Sequence, residues 1–355
     1  MTSPGFYIDH SGNLTVTSHL PPVKAEDGEL LIEVLYSGVN PADTTYTTIL
    51  EIHDIVLGAD FCGRVVDASK VKNSRFQVGD AVAGYTYTGN GRPARYGTHQ
   101  AYLATPPEAG VFKVPDGMPY TDAAALMSTL QSASDALFNR LELPVPSDSI
   151  KSASLDCTLI IWGASTTLGV AAVQLARAIG VRNIIVTATS SRHQLLKDLG
   201  ATHCFDYKDP DVSIKIKDAV EAAGFEDIRG FETVGRAESY RLFLDTMSTL
   251  SGNRRYAFSF MHSDERPASE MLLGGRHYDV HLIFKGGHKT VFKARPEEAA
   301  RIWTAVEWAV ANYGVRFRLP SVRVFEGKAE DALVAMKEIA EPGSFGKLVI
   351  KQPMQ

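Results

Sequence analysis

From Cys157 onward the chain alternates between two kinds of segment. "TLIIWG" runs into the helical "GVAAVQLARAIG", "NIIVTAT" into "SRHQLLKDLG", and "THCFDY" into "SIKIKDAVEAAG". Short apolar, β-branched runs separated by helices of this length specify parallel strands joined by right-handed crossovers, a doubly wound sheet. "IRGFETVG", "RRYAFSF" and "DVHLIF" (Asp279–Phe284) read as its further strands. In such a sheet a ligand sits outside the carboxyl ends of the strands. The first strand-to-helix turn then presents backbone amides to a pyrophosphate.

That turn is "GASTTLG", Gly163–Gly169. At the three glycine positions of G-x-G-x-x-G stand Ala164, Thr166 and Gly169. Gly169 would let the helix pack closely against the preceding segment. The hydroxyls of Ser165, Thr166 and Thr167 can donate to phosphate oxygens, and they can equally cap the helix. The second strand ends in "TATSSRH", Thr187–His193. It lacks the acid that NAD sites aim at the ribose 2′-hydroxyl. Ser190, Ser191, Arg192 and His193 suit a 2′-phosphate instead. The two turns together favour a dinucleotide site, with NADP(H) as the cofactor.

Residues 1 to about 125 follow a different grammar, with short alternating strands such as "GELLIEVLYSGV" (Gly28–Val39) between turn-rich loops. This predicts a β-rich, partly open barrel. A helical stretch, "YTDAAALMSTLQSASDALFNRL", follows it. Near the C-terminus, "PEEAARIWTAVEWAVANYG" is a long amphipathic helix opened by Pro296 and stopped by Gly314. The tail reads strand, helix, strand and is expected to return to the first domain. The expected division is a substrate domain at 1–127, completed by 292–355, and a dinucleotide-binding domain at 128–291.

Composition excludes several alternatives. A formal net charge of −5 without basic clusters argues against a nucleic-acid groove. The three cysteines, Cys62, Cys157 and Cys204, form no C-x-x-C pair, so neither a disulfide framework nor a structural zinc lobe is expected. No signal peptide and no membrane-spanning apolar run is read, so the expected location is cytoplasmic. The ten histidines are scattered, and no metal site is expected.

Several motifs together resemble the medium-chain dehydrogenase/reductase family. They are "SGVNPAD" (Ser37–Asp43), "LGADFCGRVV" (Leu57–Val66), "VGDAV" (Val78–Val82), "YGTHQAY" (Tyr96–Tyr102) and "GKLVIK" (Gly346–Lys351). The resemblance implies a GroES-like domain beside a Rossmann domain. Zinc alcohol dehydrogenases of that family carry Cys where this chain has Asn40, and His-Glu where it has Ala59-Asp60. The chain therefore resembles the zinc-free branch. "GASTTLG", "SSRHQLLKDLGA" and "CFDYKDP" are similar to segments of trans-acting enoyl reductases of fungal polyketide biosynthesis.

That similarity implies roles for particular residues. Ser165, Thr166, Thr167 and Leu168 would contact the pyrophosphate, Ser190 to His193 the 2′-phosphate, and Tyr207 the adenosine end. It also implies a small-molecule or carrier-bound thioester substrate and a polyketide synthase as partner. The assembly is a monomer or a homodimer, with "DVHLIF" as the dimer strand of relatives. The chain departs from the group at Thr44-Thr45, where those reductases commonly carry Trp-Lys. Tyr46 and Thr45 become the candidate proton donors, with Lys285 further off. The implied activity is NADPH-dependent reduction of an α,β-unsaturated carbonyl or thioester in secondary metabolism. The missing lysine keeps a quinone, aldehyde or imine substrate open, as well as a redox-silent member of the fold.

Overall fold

The computed structural model describes residues 3–147, 154–260, 276–339 and 344–355. It separates into two compact units. The first comprises Met1–Ser128, Tyr278–Ala294 and Pro320–Gln355, the second Thr129–His277 and Arg295–Leu319. In chain order the early elements are β1 (Gly5–Ile8), β2 (Leu14–Thr17), β3 (Leu30–Gly38), α1 (Pro41–Ile49), β4 (Ile55–Val56), β5 (Asp60–Asp67), β6 (Ala81–Tyr85), β7 (Tyr102–Thr105), β8 (Val111–Lys113), α2 (Tyr120–Ala124) and α3 (Met127–Ser134). There follow β9 (Leu155–Trp162), α4 (Thr167–Ala178), β10 (Val181–Thr187), α5 (His193–Leu199), β11 (His203–Phe205), α6 (Val212–Ala223), β12 (Asp227–Glu232), α7 (Ala237–Ser248) and β13 (Asn253–Phe258). The last are β14 (Val280–Ile283), β15 (Lys289–Phe292), α8 (Pro296–Ala311), β16 (Val322–Phe325), α9 (Ala329–Glu338) and β17 (Lys347–Lys351).

The first unit is the expected GroES-like, β-rich domain. Its main sheet runs β16-β17-β3-β5-β6-β8, with β7 also paired to β3. Strand β3 alternates, so Leu30, Ile32 and Val34 point inward and meet Phe61, Val65, Val82, Leu103 and Val111 in one apolar cluster. At Gly63 a side chain would lie 2.1 Å from the Glu33 carbonyl oxygen, so the close crossing of β3 and β5 requires glycine there.

The second unit holds a five-stranded parallel sheet in the order β11-β10-β9-β12-β13. Counted from β9, this is the 3-2-1-4-5 order of a Rossmann sheet, and the direction of winding reverses between β9 and β12. The last six residues of β9 and the last five of β10 are all buried, as strands covered on both faces must be.

Two sequence expectations change. "DVHLIF" is not a strand of the parallel sheet. Its β14 pairs antiparallel with β15 in the first unit, Val280 opposite Phe292. Val280 and Leu282 point into the cluster of Phe6, Ile8 and Leu50, while His281 points out. That period of two belongs to a half-buried hairpin. Gly286 and Gly287, at φ 92° and 85°, reverse the chain between the two strands.

The domain limits change as well, because α8 lies in the second unit and residues 278–294 in the first. Helix α8 buries Ile302, Ala305, Val306 and Ala309. Its Arg301 donates to the carbonyls of Phe138 and Leu143, and Glu298 pairs with Arg140. These partners tie the helix to the segment that precedes β9. Among the described residues, no helix is long and apolar enough to cross a membrane.

Candidate cofactor and substrate sites

At the end of β9 the backbone turns at Gly163, φ 82°, where a side chain would strike Val234 at 2.2 Å. Thr166 is the N-cap of α4, and its Oγ1 accepts from the Gly169 amide at 2.9 Å. The same hydroxyl donates to Thr233 Oγ1 at 2.9 Å. Thr233 Oγ1 in turn lies 2.8 Å from the Gly163 carbonyl oxygen and 2.9 Å from that of Trp162. Thr166 is thus engaged as a helix cap, stapled to the end of β12. The reversal between β9 and β12 is therefore fixed by these hydroxyls together with Gly163 and Gly169.

Ser165, Thr167 and Leu168 are half-buried around the same turn. The amides of Thr167 and Leu168 lie ahead of the first intrahelical bond, Val170 to Thr166, and point out of the helix end. Gly169 is needed as expected, since a Cβ there would sit 2.5 Å from Ala164 Cα. The loop can offer an anion two amides, the Ser165 and Thr167 hydroxyls and the partial charge of a twelve-residue helix.

The turn after β10 carries Ser190 and Ser191, both exposed, with Arg192 and His193 half-exposed. His193 Nε2 lies 3.0 Å from the Ala188 carbonyl, which can only accept, so Nε2 carries a proton and Nδ1 alone is left. A neutral His193 therefore offers a phosphate no donor. The turn also holds an acid that the reading of β10 missed. Asp206, just past β11, accepts from the Lys208 amide at 3.0 Å and the Ser190 amide at 3.2 Å. Those amides, with the Lys208 and His193 side chains, hold its carboxyl below the usual carboxylate range. The sequence signal was present in "CFDYKDP", one strand further along than the rule looks. Tyr207 is 39% exposed, with Lys208 Nζ 5.9 Å from its ring centre.

The first unit contains a cavity of about 50 Å³ beside α1. Ala42, Asp43, Tyr46 and Leu50 line it from the helix, with Ile52, Ile55 and Leu57 as an apolar wall. Thr45 is not among the lining residues, because a helix turns it about 100° away from Tyr46. Of the two candidate proton donors, only Tyr46 reaches this cavity. Lys285 also stays out of it: the residue is exposed in the β14–β15 turn, its amide bonded to the Ile49 carbonyl at 2.9 Å.

Sequence reading missed Arg92, which sits in a glycine- and proline-rich loop. Its guanidinium donates to the Gly58 carbonyl at 3.1 Å and to the Val56 carbonyl, and it lines the cavity with Tyr85 and Tyr46. Burial pulls its pKa down, and Asp43 and Tyr85 oppose that pull. Behind Asp43 lies buried His99, Nε2 3.5 Å from the carboxylate and Nδ1 2.8 Å from Ser37 Oγ.

The positions at which zinc dehydrogenases of the resembled family place metal ligands form a closed polar cluster. Asp60 is wholly buried and accepts from Asn40 Nδ2 at 3.0 Å and from the Ser128 amide at 2.9 Å. Lys347 Nζ lies 3.4 Å from the Asp60 carboxylate and donates to Asn40 Oδ1. A cation is thus already built in, the Asn40 oxygen is occupied by it, and the positions of the family's ligands hold an amide, Asn40, and the Ala59-Asp60 pair in place of a thiolate and an imidazole. These residues do not fit zinc.

Comparison with known proteins agrees with this architecture. Residues 26–116 match the alcohol dehydrogenase GroES-like domain, and residues 167–250 match the domain described as zinc-binding dehydrogenase. A trans-enoyl reductase of Pyricularia oryzae is 30% identical over 241 residues, 64% of this chain and 67% of that protein. This chain belongs to the medium-chain dehydrogenase/reductase family. Members of the family are oxidoreductases that use a nicotinamide cofactor. The trans-enoyl reductase himH of Aspergillus japonicus is 34% identical over 187 residues, 52% of this chain. The match spans about half of that relative's length, 53%. The fold is shared with a quinone oxidoreductase of Pseudomonas syringae, TM-score 0.70 at 16% identity, over 98% of this chain and 99% of that one.

Proposed function

We propose that this family member is an NADPH-dependent enoyl reductase acting on an α,β-unsaturated thioester. The observation that carries the reading is the Asn40–Asp60–Lys347 cluster. With a lysine where a metal would polarise an alcohol, the site is suited to conjugate reduction. Its trans-enoyl reductase relatives point the same way. The similarity of "GASTTLG", "SSRHQLLKDLGA" and "CFDYKDP" to trans-acting enoyl reductases supports a substrate delivered by a polyketide synthase of secondary metabolism. Bound at the β9–α4 turn, NADPH would supply a hydride to the β-carbon of the substrate.

The chain's own residues have four tasks. The Ser165 and Thr167 hydroxyls and the Thr167 and Leu168 amides would hold the pyrophosphate, while Thr166 keeps the turn in shape. Arg192 and the Ser190 and Ser191 hydroxyls hold the 2′-phosphate, with Lys208 offsetting Asp206. Arg92 supplies fixed positive charge where the thioester oxygen gains enolate character, in an apolar cavity where such charge counts most. Tyr46 delivers the proton to the α-carbon. The balance would be one hydride and one proton added across the C=C bond, with NADPH oxidised to NADP⁺.

Product analysis by mass spectrometry tests the reading. Enoyl thioesters of rising chain length, with quinones, aldehydes and imines alongside, are incubated with NADPH or NADH. A saturated thioester formed faster with NADPH is the expected result. Turnover only of another substrate class would move the substrate and keep the cofactor site. Silence on all of them would refute the activity.

A further inference from the structure

We infer that the first unit carries a surface site for a divalent transition-metal ion, built from His10, His53 and Asp54. The site is separate from the Asn40–Asp60–Lys347 cluster and from the cavity lining. It arises from strand register. Strands β1 and β4 pair antiparallel, Tyr7 opposite Val56 and Ile8 opposite Ile55. Where both chains leave that ladder, at His10 and at Asp54 (φ 57°), the two imidazoles come together, ring centroids 5.6 Å apart. Residues 43 positions apart are thereby brought side by side, which is why no spacing rule along the chain reveals them.

The geometry is that of a ligand set. His10 Nδ1 lies 3.1 Å from Asp54 Oδ2, and His53 Nδ1 lies 3.0 Å from the same oxygen. The three ligand atoms all fall within 4.8 Å of one another. Donors that share one ion at bond lengths near 2.0–2.2 Å stand about 3.0–3.5 Å apart. Two of the three separations already meet that spacing. The third is within reach of a small rotation, since the imidazoles are 89% and 58% exposed.

The carboxylate is also oriented. Tyr7 donates to Asp54 Oδ1 at 3.1 Å, which leaves Oδ2 for the ring side, as a supporting partner does at a metal centre. Asp9 adds a second negative charge nearby. Two imidazole nitrogens and one carboxylate oxygen select zinc, cobalt, nickel or copper over magnesium or calcium. The remaining coordination positions face water. Such an ion would clamp the end of β1 to the start of β4.

Cobalt(II) titration of the tag-free full chain tests this, read by its visible ligand-field bands and by calorimetry, with Mg²⁺ as the control. One saturable equivalent is expected, together with a zinc-dependent rise in the thermal unfolding midpoint. His10→Ala and His53→Ala should each weaken binding at least tenfold and abolish the thermal rise. Tyr7→Phe should weaken it about tenfold through loss of orientation. Far-ultraviolet circular dichroism of the metal-free variants checks that they remain folded. Absence of saturable cobalt binding would overturn the proposal. So would binding left unchanged in the folded His10→Ala/His53→Ala double variant.

Discussion

Replacing Lys347 with methionine exposes what the closed cluster does. Lys347 is 6% exposed and Asp60 is wholly buried, with Asn40 Nδ2 and the Ser128 amide as its remaining partners among the described residues. Methionine keeps the volume and removes the charge. Breaking one side of a buried ion pair costs about 3–5 kcal/mol, because the other charge is left in a low-dielectric interior. For a unit of this size that is a fall in melting temperature on the order of 10 °C.

The sign with pH follows from the Asp60 carboxyl, which burial already pushes up against the pull of Lys347. Removing that pull raises it further. The native variant then holds a proton that the unfolded chain has lost, so stability rises as pH falls through the window between the ordinary and the raised value. Denaturant unfolding of Lys347→Met should show the largest loss at about pH 8 and a smaller one at about pH 5. The double variant Asp60→Asn/Lys347→Met should recover at least half of the loss at about pH 8. A Lys347→Met stability within about 0.5 kcal/mol of the parent at both pH values, the range of an ordinary surface substitution, would refute the reasoning.

Other predictions follow from the same geometry. Tyr46→Phe should lower turnover about 10²–10⁴-fold with folding intact, while Thr45→Val should leave it within about twofold; equal effects would remove the distinction drawn from the helix face. Arg192→Ala should raise the KM for NADPH at least tenfold and leave that for NADH nearly unchanged, read by initial rates with both cofactors. Gly169→Val should abolish NADPH binding in calorimetry, since its side chain would overlap the Ala164 backbone. Arg95→Leu strips Glu29 of a guanidinium contact at 2.9 Å; burial pushes that carboxyl up, but Arg95, the Glu26 amide and Tyr96 bring it below the usual range. The parent therefore has stabilisation above the ordinary carboxylate pKa that fades as pH falls through the lowered one, and the variant should lose that acid slope in unfolding titrations.

Much of the fold was legible because its pattern is local. The doubly buried runs of β9 and β10, and the glycine demanded at 169, each follow from neighbours within a few residues. What was not legible depends on partners distant in sequence. "DVHLIF" has a strand's composition, but only its packing against Phe6, Ile8 and Leu50 decides that it forms a hairpin outside the parallel sheet. Helix α8 carries no mark of its unit until Arg301 meets Phe138. At the sites, Thr166 had two readings because a hydroxyl can cap or bind, and the contact to Gly169 shows the cap. Asp206 and Arg92 escaped because the first sits one strand beyond the expected acid and the second in a loop without motif. Neither shows its role until the backbone brings it to a turn or a cavity.

The central claim, that this chain reduces a conjugated double bond with NADPH and without a metal in the cluster of Asn40, Asp60 and Lys347, meets its most direct test in one assay. Purified protein is dialysed against a chelator, and loss of NADPH absorbance is followed with an enoyl thioester and, separately, with the matching saturated ketone. The account predicts steady oxidation with the enoyl thioester alone, at a rate unaltered by the chelator or by added zinc. Oxidation that requires zinc, or that occurs with the ketone and not with the enoyl thioester, would contradict it.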